Sequence, residues 1–458
     1  MAKEKPGIPK GTRDFDPVEI FRRDYIFDTI REVYRLHGFK PIETPAMENL
    51  STLMGKYGEE GDRLIFRVLN SGDFARKINE EDWLSRDPSK LSSQLSEKAL
   101  RYDLTVPFAR YVVQHQHKIT FPFKRYQIQP VWRADRPQKG RYREFFQCDA
   151  DIIGSDSLIN EAEFIQMIDK VFSRLNIKVR ILINNRKILA GLSEHIGYAG
   201  RFSDITTSMD KLDKAGIDRV REELEEKGID SGAVANLVQL LELSGSADEK
   251  LRKLGKTLEG SETGMQGVNE LREVFEIASG AYLNNALELD LSLARGLNYY
   301  TGAIIEVKAA DVEMGSICGG GRYDDLTGIF GLEGVSGVGI SFGADRIYDV
   351  MNNLGLFPDS TDTFTHVLAI NFGKKERDYC LPALESLRSV GIHCEMYPDA
   401  VKVKKQMQYA DRNNIPFVLM AGAEEMEKGL FSLKDMQSGD QSKLSLEQIN
   451  DVLVNYMD

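Results

Sequence analysis

The N-terminal part of the chain alternates apolar and polar positions in a way that predicts one long helix followed by irregular structure. Apolar residues recur at helical spacing over residues 20–34, and the His-Gly pair at 37–38 ends the helix. The next segment, 39–45, is extended and interrupted by proline. Residues 64–94 are polar and serine-rich, so we expect a flexible, irregular loop there.

A sheet region follows this loop. Residues 98–151 contain strand-like stretches, and two of them, 123–135 and 144–153, flank a short polar loop. This order of strand, loop and strand predicts an antiparallel pair. Beyond it the pattern predicts a helix over 158–175 and a short strand over 179–183.

The middle of the chain has a different pattern. From residue 186 to residue 279, leucines and charges recur at helical period with almost no strand signal, which predicts a helical insertion. Strand patterns then return, and a glycine-rich strand leads into a helix that ends at Gly355. The strands expected here are 287–293, 300–307 and 337–342, and the helix spans 345–354.

A linker-like stretch at residues 353–365 precedes a C-terminal part in which strand and helix patterns alternate, which predicts a compact α/β domain. Its expected elements are strands at 367–370, 393–397 and 417–420 and helices at 375–390 and 403–413. We therefore assign one domain to residues 1–185 and 286–355, the helical insertion to 186–285, the linker to 356–364 and the terminal domain to 365–458.

Composition narrows the class of protein. The chain has 458 residues, 42% of them hydrophobic and 28% charged, which is ordinary for a soluble globular protein of several domains. The chain has no run of about 18 apolar residues, so we expect no membrane span. The first six residues include charged side chains, and no apolar stretch follows them, so we expect no secretory signal. The four cysteines are widely spaced, which favours buried thiols in a reducing cytoplasm.

Charge is distributed unevenly. The net charge of −12 argues against indiscriminate binding to nucleic acid, yet residues 124–143 carry seven basic side chains and one acidic one. A solvated hairpin face would explain that run alone. In the strand that follows, however, Gln147, Asp149 and Asp151 share one face, and the preceding strand ends near Arg133. Carboxylates beside arginines favour a polar pocket that binds ammonium and phosphate groups.

Four further motifs place polar residues or glycines where a ligand can bind. In 337–346, a glycine-rich strand runs into a helix whose first turn holds Arg346, a cation that fits an anion shared with the helix N-terminus. Arg295 continues the apolar face of a strand, so an internal ion pair and a functional role are both open. The remaining two are 101–105, an acidic patch in a sheet region, and 318–324, whose three glycines fit a turn or a close approach to a ligand.

Two other kinds of site are not expected. The glycine spacing in 337–343 differs from the dinucleotide fingerprint and follows no βαβ unit, which argues against a nicotinamide cofactor. His115 and His117 have no further ligands nearby, which argues against a metal site.

Taken in chain order, the motifs resemble those of the histidyl-tRNA synthetase family, a family of class II aminoacyl-tRNA synthetases. The hexapeptide Arg295-Gly296-Leu297-Asn298-Tyr299-Tyr300 resembles a peptide that other class II synthetases lack. The resemblance implies an α+β catalytic domain, in which helices flank an antiparallel sheet, with a helical insertion and a C-terminal α/β anticodon-binding domain. The motifs are 11–14, 101–105, 132–151, 293–300 and 337–346, and they extend over nearly the whole chain.

The resemblance also implies an activity. The enzyme would join L-histidine to tRNA(His) through histidyl-adenylate, with ATP as a substrate and Mg²⁺ bridging its phosphates, and would release AMP and diphosphate. It would be a cytoplasmic homodimer without a resident metal, and its interface would include the helix 17–36 and the strand near Pro45.

Site residues follow from the resemblance position by position. Arg133 and Arg295 would be catalytic at the α-phosphate, Arg346 would meet the γ-phosphate, and Arg141 and Tyr142 would complete the ATP site. Asp103, Thr105 and Gln147 would hold the α-ammonium, whereas Asp151 and Tyr300 would recognise the imidazole. The full set expected around histidine is Asp103, Leu104, Thr105, Arg133, Gln147, Asp151, Arg295, Tyr299, Tyr300 and Tyr323.

One departure and two alternatives accompany this resemblance. Residues 103 and 151 are Asp here, as in the eukaryotic-like branch of the family, whereas the common bacterial form has Glu at both positions. The shorter Asp side chain reduces the reach of each carboxylate. One alternative is a catalytically idle, histidine-sensing relative, such as the regulatory subunit of ATP phosphoribosyltransferase, and the other is a synthetase for another amino acid. The regulatory subunit lacks the terminal domain that is present here, with basic residues at 402, 404 and 405.

Overall fold

A computed structural model of the chain describes residues 6–76, 78–138, 140–294, 299–358 and 364–457. The chain divides into two compact units. The first contains the residues up to Asp14 together with Arg23–Leu356, and the second contains Phe15–Arg22 and the residues from Phe357 onward.

The strands of the first unit are short at its edges and long at its centre. They are β1 (Lys40–Pro41), β2 (Met47–Asn49), β3 (Arg67–Val68), β4 (Lys98–Leu100), β5 (Phe123–Trp132), β6 (Glu144–Ile153), β7 (Val179–Asn185), β8 (Ala286–Leu289), β9 (Ala303–Ala309), β10 (Cys318–Tyr323) and β11 (Gly337–Gly343).

Helices precede, connect and follow these strands, and α1 begins among the residues that belong to the second unit. They are α1 (Pro17–Leu36), α2 (Leu50–Leu53), α3 (Gly58–Arg63), α4 (Glu80–Ser85), α5 (Pro88–Leu95), α6 (Thr105–His115), α7 (Ile159–Arg174), α8 (Arg186–His195), α9 (Phe202–Met209), α10 (Leu212–Glu226), α11 (Ser231–Leu241), α12 (Ala247–Thr257), α13 (Glu262–Ser279) and α14 (Ala344–Leu354).

In the described part of the chain, eight strands form the central sheet in the order β1-β5-β6-β11-β10-β9-β7-β8. Its inner pairs are antiparallel, and only the outer pairs β1–β5 and β7–β8 run parallel. Helices α1 and α7 cover one face, where the rings of Tyr34 and Phe172 lie 6.2 and 5.6 Å from that of Phe342. The Tyr34 hydroxyl also donates a 2.6 Å hydrogen bond to the Cys148 carbonyl. The opposite face carries the polar residues of the candidate site.

A small sheet of order β2-β4-β3 packs beside this polar face. Its apolar core joins Leu53, Tyr57 and Tyr102 to Tyr323 of β10, and Tyr300 packs against the same cluster. The small sheet therefore supports the aromatic wall of the site. The predicted helical segment forms α8 to α13, and α13 packs against α7 and α8.

The second unit has its own sheet and two apolar cores. The strand order is β13-β12-β14-β15-β16, with β13, β12 and β14 parallel and the rest antiparallel. The cores lie around Leu384 and around Val418. Its elements are β12 (Val367–Ala369), α15 (Lys374–Ser389), β13 (Cys394–Met396), α16 (Val403–Arg412), β14 (Phe417–Met420), α17 (Ala423–Lys428), β15 (Phe431–Asp435), β16 (Gln441–Leu444) and α18 (Leu446–Met457).

The expectation of an irregular loop over 64–94 is wrong. That segment contains β3, α4 and α5. Helix α4 starts after Asn79, whose side chain accepts a 2.6 Å hydrogen bond from the Asp82 amide. Short helices held by such caps have too few apolar positions to show a helical period.

Two other expectations about local structure are also wrong, and one of two open alternatives is excluded. The strand expected at 287–293 ends at Leu289, because the Asp290 carboxylate accepts hydrogen bonds from the Ser292 amide and hydroxyl at 2.9 and 2.6 Å and turns the chain. The three consecutive glycines lie in strand β10 rather than in a turn. The acidic patch 101–105 joins β4 to α6 instead of lying within a sheet.

Candidate active site

The polar face of the central sheet is set by the register of three neighbouring strands. Gln147, Asp149 and Asp151 alternate along β6, as the sequence predicts. Directly opposed residues of antiparallel strands project to the same side, so their partners join them in one surface, here called the polar floor. The partners are Gln129, Gln127 and Arg125 on β5 and Gly343, Ser341 and Gly339 on β11.

Two glycines make room on this floor. A Cβ atom at Gly339 would lie 2.1 Å from Asp151 Oδ1, so any other residue there would displace the carboxylate. A Cβ atom at Gly321 of β10 would lie 3.0 Å from the Tyr300 ring and 2.6 Å from the Ala303 carbonyl oxygen. Gly339 and Gly321 are therefore required by the close approach of a carboxylate, a ring and a backbone group.

Asp151 is buried at one end of the polar floor and has a partner on each oxygen. Oδ1 accepts a 2.6 Å hydrogen bond from the Tyr323 hydroxyl, and Oδ2 lies 2.6 Å from Arg125 Nη2. Burial raises the pKa of Asp151, whereas Arg125 and the hydrogen bond from Tyr323 lower it. The arrangement gives a desolvated acceptor suited to an N–H donor.

A second buried carboxylate, Asp103, stands between β4 and α6. Its Oδ1 accepts hydrogen bonds from the Tyr57 hydroxyl at 2.9 Å and from the Val106 amide at 3.1 Å. Its Oδ2 has no hydrogen-bond partner among the described residues. Burial raises the pKa of Asp103, and the Val106 amide and Arg133 oppose that rise. An oxygen left without a donor in this position fits an ammonium group.

The next two residues connect Asp103 to the floor and to the aromatic wall. Leu104 is buried, and its carbonyl accepts a long hydrogen bond of 3.4 Å from Arg125 Nη2. Thr105 is the first residue of α6, and its side chain hydrogen-bonds that of Tyr299. These contacts bring the 101–105 motif to the same end of the floor as Asp151.

Three tyrosines form the aromatic wall. The Tyr299 ring lies edge-on to Tyr300 and Tyr323, with centroid separations of 5.1 and 6.1 Å. Burial raises the pKa of all three phenols, so each remains a neutral hydroxyl. A ring-shaped apolar wall beside a buried carboxylate suits a flat group with an N–H.

Arg133 marks the change from acidic to basic surroundings along the floor. Its Nε donates a 3.0 Å hydrogen bond to the Tyr102 carbonyl, and its guanidinium lies 4.3 Å from the centroid of that ring. Nη2 reaches Gln147 Oε1 at 3.5 Å, and Gln147 Nε2 donates at 2.8 Å to Ser341 Oγ. Arg133 is thus fixed by one backbone bond and one stacked ring, with Gln147 beside it.

A cavity of about 250 Å³ continues from Arg133 toward α14. Arg346, in the first turn of α14, donates from Nε to the Gly140 carbonyl at 3.0 Å and from Nη1 to the Ser316 carbonyl at 2.6 Å. Arg141 Nη2 lies 3.1 Å from Asp135 Oδ1. Three arginines around one cavity favour a polyanion such as a chain of phosphates. The cavity is lined by Arg133, Arg141, Tyr142, Phe145, Gln147 and Arg346, among others.

The N-terminal motif fastens the far wall of this cavity. The Arg13 guanidinium lies 3.4 Å from the centroid of the Tyr142 ring and forms an ion pair with Asp345. The other oxygen of Asp345 accepts a 3.0 Å hydrogen bond from the Phe146 amide. These contacts tie the loop before β6 to the start of α14. Among the residues described, no group of three or more His, Cys, Asp or Glu is arranged to hold a metal ion.

Two family models match parts of the chain, and related proteins match nearly all of it. The family model "Histidyl-tRNA synthetase" matches residues 86–347, and "Anticodon binding domain" matches residues 366–456. A histidine–tRNA ligase of Bacteroides fragilis (strain YCH46) is 60% identical over 445 residues, covering 97% of this chain and 98% of that protein. One from Christiangramia forsetii is 57% identical over 98% of this chain and 99% of its own.

The chain belongs to the histidyl-tRNA synthetase family. A crystal structure of histidyl-tRNA synthetase from Nostoc sp. PCC 7120 has a TM-score of 0.83 and 32% identity, and covers 99% of this chain and 100% of its own. A Bacillus halodurans protein described as an ATP phosphoribosyltransferase regulatory subunit/histidyl-tRNA synthetase has a TM-score of 0.72, with 91% of this chain and 99% of its own covered. At 20% identity it shows the shared fold alone.

Membership of the histidyl-tRNA synthetase family confirms three predictions made from the motifs: the family itself, the α+β synthetase fold with a C-terminal anticodon-binding domain, and the activity of a histidine–tRNA ligase. The idle regulatory relative and a synthetase for another amino acid are not favoured, because relatives that match nearly the whole chain are ligases for histidine. None of the helices described in the structure has the length and apolar character needed to cross a membrane.

The structure brings most of the residues predicted for a histidyl-tRNA synthetase site to one face of one sheet. Asp103, Leu104, Thr105, Asp151, Tyr299, Tyr300 and Tyr323 lie at its acidic end, and Arg133, Arg141, Tyr142, Gln147 and Arg346 line the cavity. Arg295 lies outside the described residues. The roles assigned to all of these residues stay predictions.

Sequence reasoning missed two residues that contact the predicted ones. Arg125 was counted only as one of seven basic residues, although its alternation with Gln127 and Gln129 along β5 is the signal that puts it on the polar floor. Tyr57 gave no signal, because its contact with Asp103 arises only when the small sheet packs against α6.

Asp149, in the middle of the floor, gives a test of this electrostatic picture. Burial raises its pKa to about 7, far above the ordinary value of about 4. Between about pH 4 and about pH 7, Asp149 is ionised in the unfolded chain but still protonated in the folded one. The free energy of unfolding therefore falls as pH rises through this range, and it falls no further above the folded-state pKa. We expect Asp149→Asn to raise the melting temperature at pH 8, by an amount that shrinks toward pH 4.

The matched control is Asp156→Asn, in the exposed turn after β6. Thermal melts of both variants and the wild type across this pH range measure the difference. An increase in melting temperature for Asp149→Asn that is the same at every pH would contradict a raised pKa of Asp149 in the folded protein.

Proposed function

We propose that this chain joins L-histidine to tRNA(His) in two steps on the polar floor. A histidine carboxylate oxygen attacks the α-phosphorus of ATP, and diphosphate leaves as histidyl-adenylate forms. A ribose hydroxyl of the terminal adenosine of the tRNA then attacks the activated carbonyl carbon, and AMP leaves. The observation that supports the proposal most directly is one continuous surface with buried carboxylates at one end and three arginines around a cavity at the other.

Histidine would bind at the acidic end. Asp103, Thr105 and Gln147 would hold the α-ammonium, and the unpartnered Asp103 Oδ2 supports this assignment. Asp151 and Tyr300 would recognise the imidazole. Tyr299 and Tyr323 would line the pocket, in keeping with their edge-on packing.

ATP would bind at the basic end. Arg133 would contact the α-phosphate and the carboxylate, since it stands between the two halves of the floor. Arg346 would meet the γ-phosphate, with Arg141 and Tyr142 nearby in the cavity. Arg295 would stabilise charge that develops at the α-phosphate. Fixed cations aimed at that charge lower the barrier because they need no reorganisation during the reaction.

Mg²⁺ would enter with ATP as part of the substrate. Asp135 and Asp345 line the cavity, and their carboxylates are the hard oxygen donors that Mg²⁺ accepts. The ion would offset the charge of the phosphates as diphosphate leaves.

The partner and assembly of the enzyme are part of the proposal. In the second unit, Lys402, Lys404 and Lys405 are exposed at the start of α16 and suit the phosphates of a tRNA anticodon stem. The enzyme would act as a cytoplasmic homodimer. Leu36 and Met47, near the motif implied at the dimer interface, are 57% and 52% exposed, and a second copy would cover them.

Isotope exchange tests the activity. We expect the chain to catalyse exchange of labelled diphosphate into ATP in the presence of L-histidine, because adenylate formation is reversible. The other amino acids serve as controls and should give no exchange above background. Active protein that exchanges with another amino acid, or with none, would overturn the proposal.

Arg295→Ala tests the catalytic assignment. We expect adenylate formation to fall by at least about 100-fold with little change in histidine affinity, because the lost contact acts mainly in the transition state. Single-turnover rates of ATP cleavage with saturating histidine measure the effect. Rates equal to those of the wild type would remove Arg295 from the catalytic set.

Removal of all residues after Thr363 tests whether adenylate formation and tRNA binding depend on different parts of the chain. We expect the shortened chain to keep histidine-dependent diphosphate exchange, because the polar floor lies in the first unit. Charging of tRNA(His) should be severely reduced, since the anticodon-binding domain is gone. Charging at the full-length rate would contradict a role for that domain in tRNA binding.

A further inference from the structure

Arg125 is a buried charge that the proposed reaction leaves without a role. It lies on β5 directly opposite Asp151, and no part of it is exposed to solvent. Its Nη2 lies 2.6 Å from Asp151 Oδ2 and 3.4 Å from the Leu104 carbonyl oxygen, and its guanidinium is 4.2 Å from the centroid of the Phe108 ring. A fully desolvated guanidinium is costly unless it serves a partner.

The group whose ionised form Arg125 stabilises most directly is Asp151. Asp151 and Asp149 are both buried on the same face of β6, so each disfavours ionisation of the other. With one arginine and two carboxylates, the cluster has a net charge of −1 when all three groups are ionised. Arg125 therefore allows one full negative charge to remain at the acidic end of the floor.

The ionised form of Asp151 is the one that the pocket needs. Tyr323 and Arg125 each occupy one of its oxygens from the protein side, and every carboxylate oxygen can accept a second hydrogen bond. An anion offers these remaining positions as acceptors for an imidazole N–H, whereas a protonated acid would present a competing O–H donor. The orientation of the Asp151 carboxylate is also fixed, because Arg125 lies on β5 at one side of β6 and Tyr323 lies on β10 at the other.

We infer that Arg125 is a positioning residue for amino-acid selection: without touching the substrate, it holds Asp151 as an oriented anion that accepts the imidazole N–H of histidine. This inference rests on the proposed function and adds to it a residue that governs affinity for histidine rather than for ATP. Arg141 and Arg346 lie at the other end of the floor, so the affinity for ATP can be measured separately from the affinity for histidine.

The inference requires a characteristic pH dependence. The groups that face Asp151 among the described residues are Arg125 from β5, Asp149 from its own strand, Tyr323 from β10, and Tyr300, whereas β11 contributes Gly339. Burial raises the pKa of Asp151 and Arg125 lowers it. Without Arg125 the pKa of Asp151 rises further, so the carboxylate ionises only at higher pH and histidine use should recover there.

Arg125→Met and Arg125→Lys in the full-length chain test the inference. Histidine-dependent diphosphate exchange is measured from about pH 6.5, where imidazole becomes mainly neutral, to about pH 9. For Arg125→Met we expect kcat/KM for histidine to fall about 100-fold at pH 7, with KM for ATP changed less than about 3-fold. The deficit should shrink as pH rises. Arg125→Lys keeps the positive charge but places it on a side chain of different length and shape, so we expect kcat/KM for histidine to fall about 10-fold at pH 7.

Arg322→Met is the matched control. Arg322 is also buried in this sheet and pairs with Glu161, Nε to Oε1 at 2.6 Å, but it alternates with Tyr323 and so projects from the other face of β10. We expect it to lower the melting temperature while leaving the ratio of the two KM values and the pH profile as in the wild type.

The outcomes separate the possible failures. If Arg125→Met lowers histidine and ATP use equally at every pH, its role is structural and the inference is overturned. If that variant does not fold, Arg125→Lys decides: histidine affinity equal to the wild type, measured by calorimetry without ATP, overturns the inference. A wild-type chain without histidine-dependent exchange would instead refute the proposed function.

Discussion

The register of β5, β6 and β11 is the constraint on which the rest of the site depends. It sets Arg125 opposite Asp151, and Asp151 opposite Gly339. A slip of one residue between any two of these strands would turn the polar side chains toward the apolar layer under α1 and α7. That layer contains Tyr34 and Phe342 in contact, so a slipped register would bury charges without partners. The apolar packing of one face thus fixes the chemistry of the other.

The buried carboxylates Asp151 and Asp103 are tolerated because each has partners set by the strand register or by neighbouring elements. Asp151 has Arg125 and Tyr323, and Asp103 has Tyr57 and the first turn of α6. Breaking such a pair is costly because it leaves an uncompensated charge, even where forming it adds little stability. We therefore interpret the pairs as devices that preset the protonation and direction of carboxylates for binding.

The basic end follows another rule. Arg133 and Arg346 donate hydrogen bonds to backbone carbonyl groups, and these neutral contacts do not cancel their positive charge. Guanidinium groups fixed in this way can still offer N–H donors and charge to phosphate oxygens. One sheet consequently supports two different electrostatic environments, which we propose bind an amino acid and a nucleotide.

The sequence by itself determined the local and ordered features: the long helix α1, the β5–β6 pair, the helical segment, the C-terminal alternation and the motifs whose order indicates the family. These features depend on residue periods and on spacing along the chain, which a sequence states directly. The face carrying Gln147, Asp149 and Asp151 was predicted in the same way.

Only the tertiary structure decided which distant residues meet. The period of the sequence does not reveal that three consecutive glycines form β10. Two of them, Gly320 and Gly321, are needed there because the backbone of neighbouring strands and the Tyr300 ring approach them closely. Nor does the period reveal the contact of Tyr57 with Asp103, which requires the small sheet. Arg125 is the clearest case, since the sequence shows a cation in a basic run, and only strand pairing makes it the buried partner of Asp151.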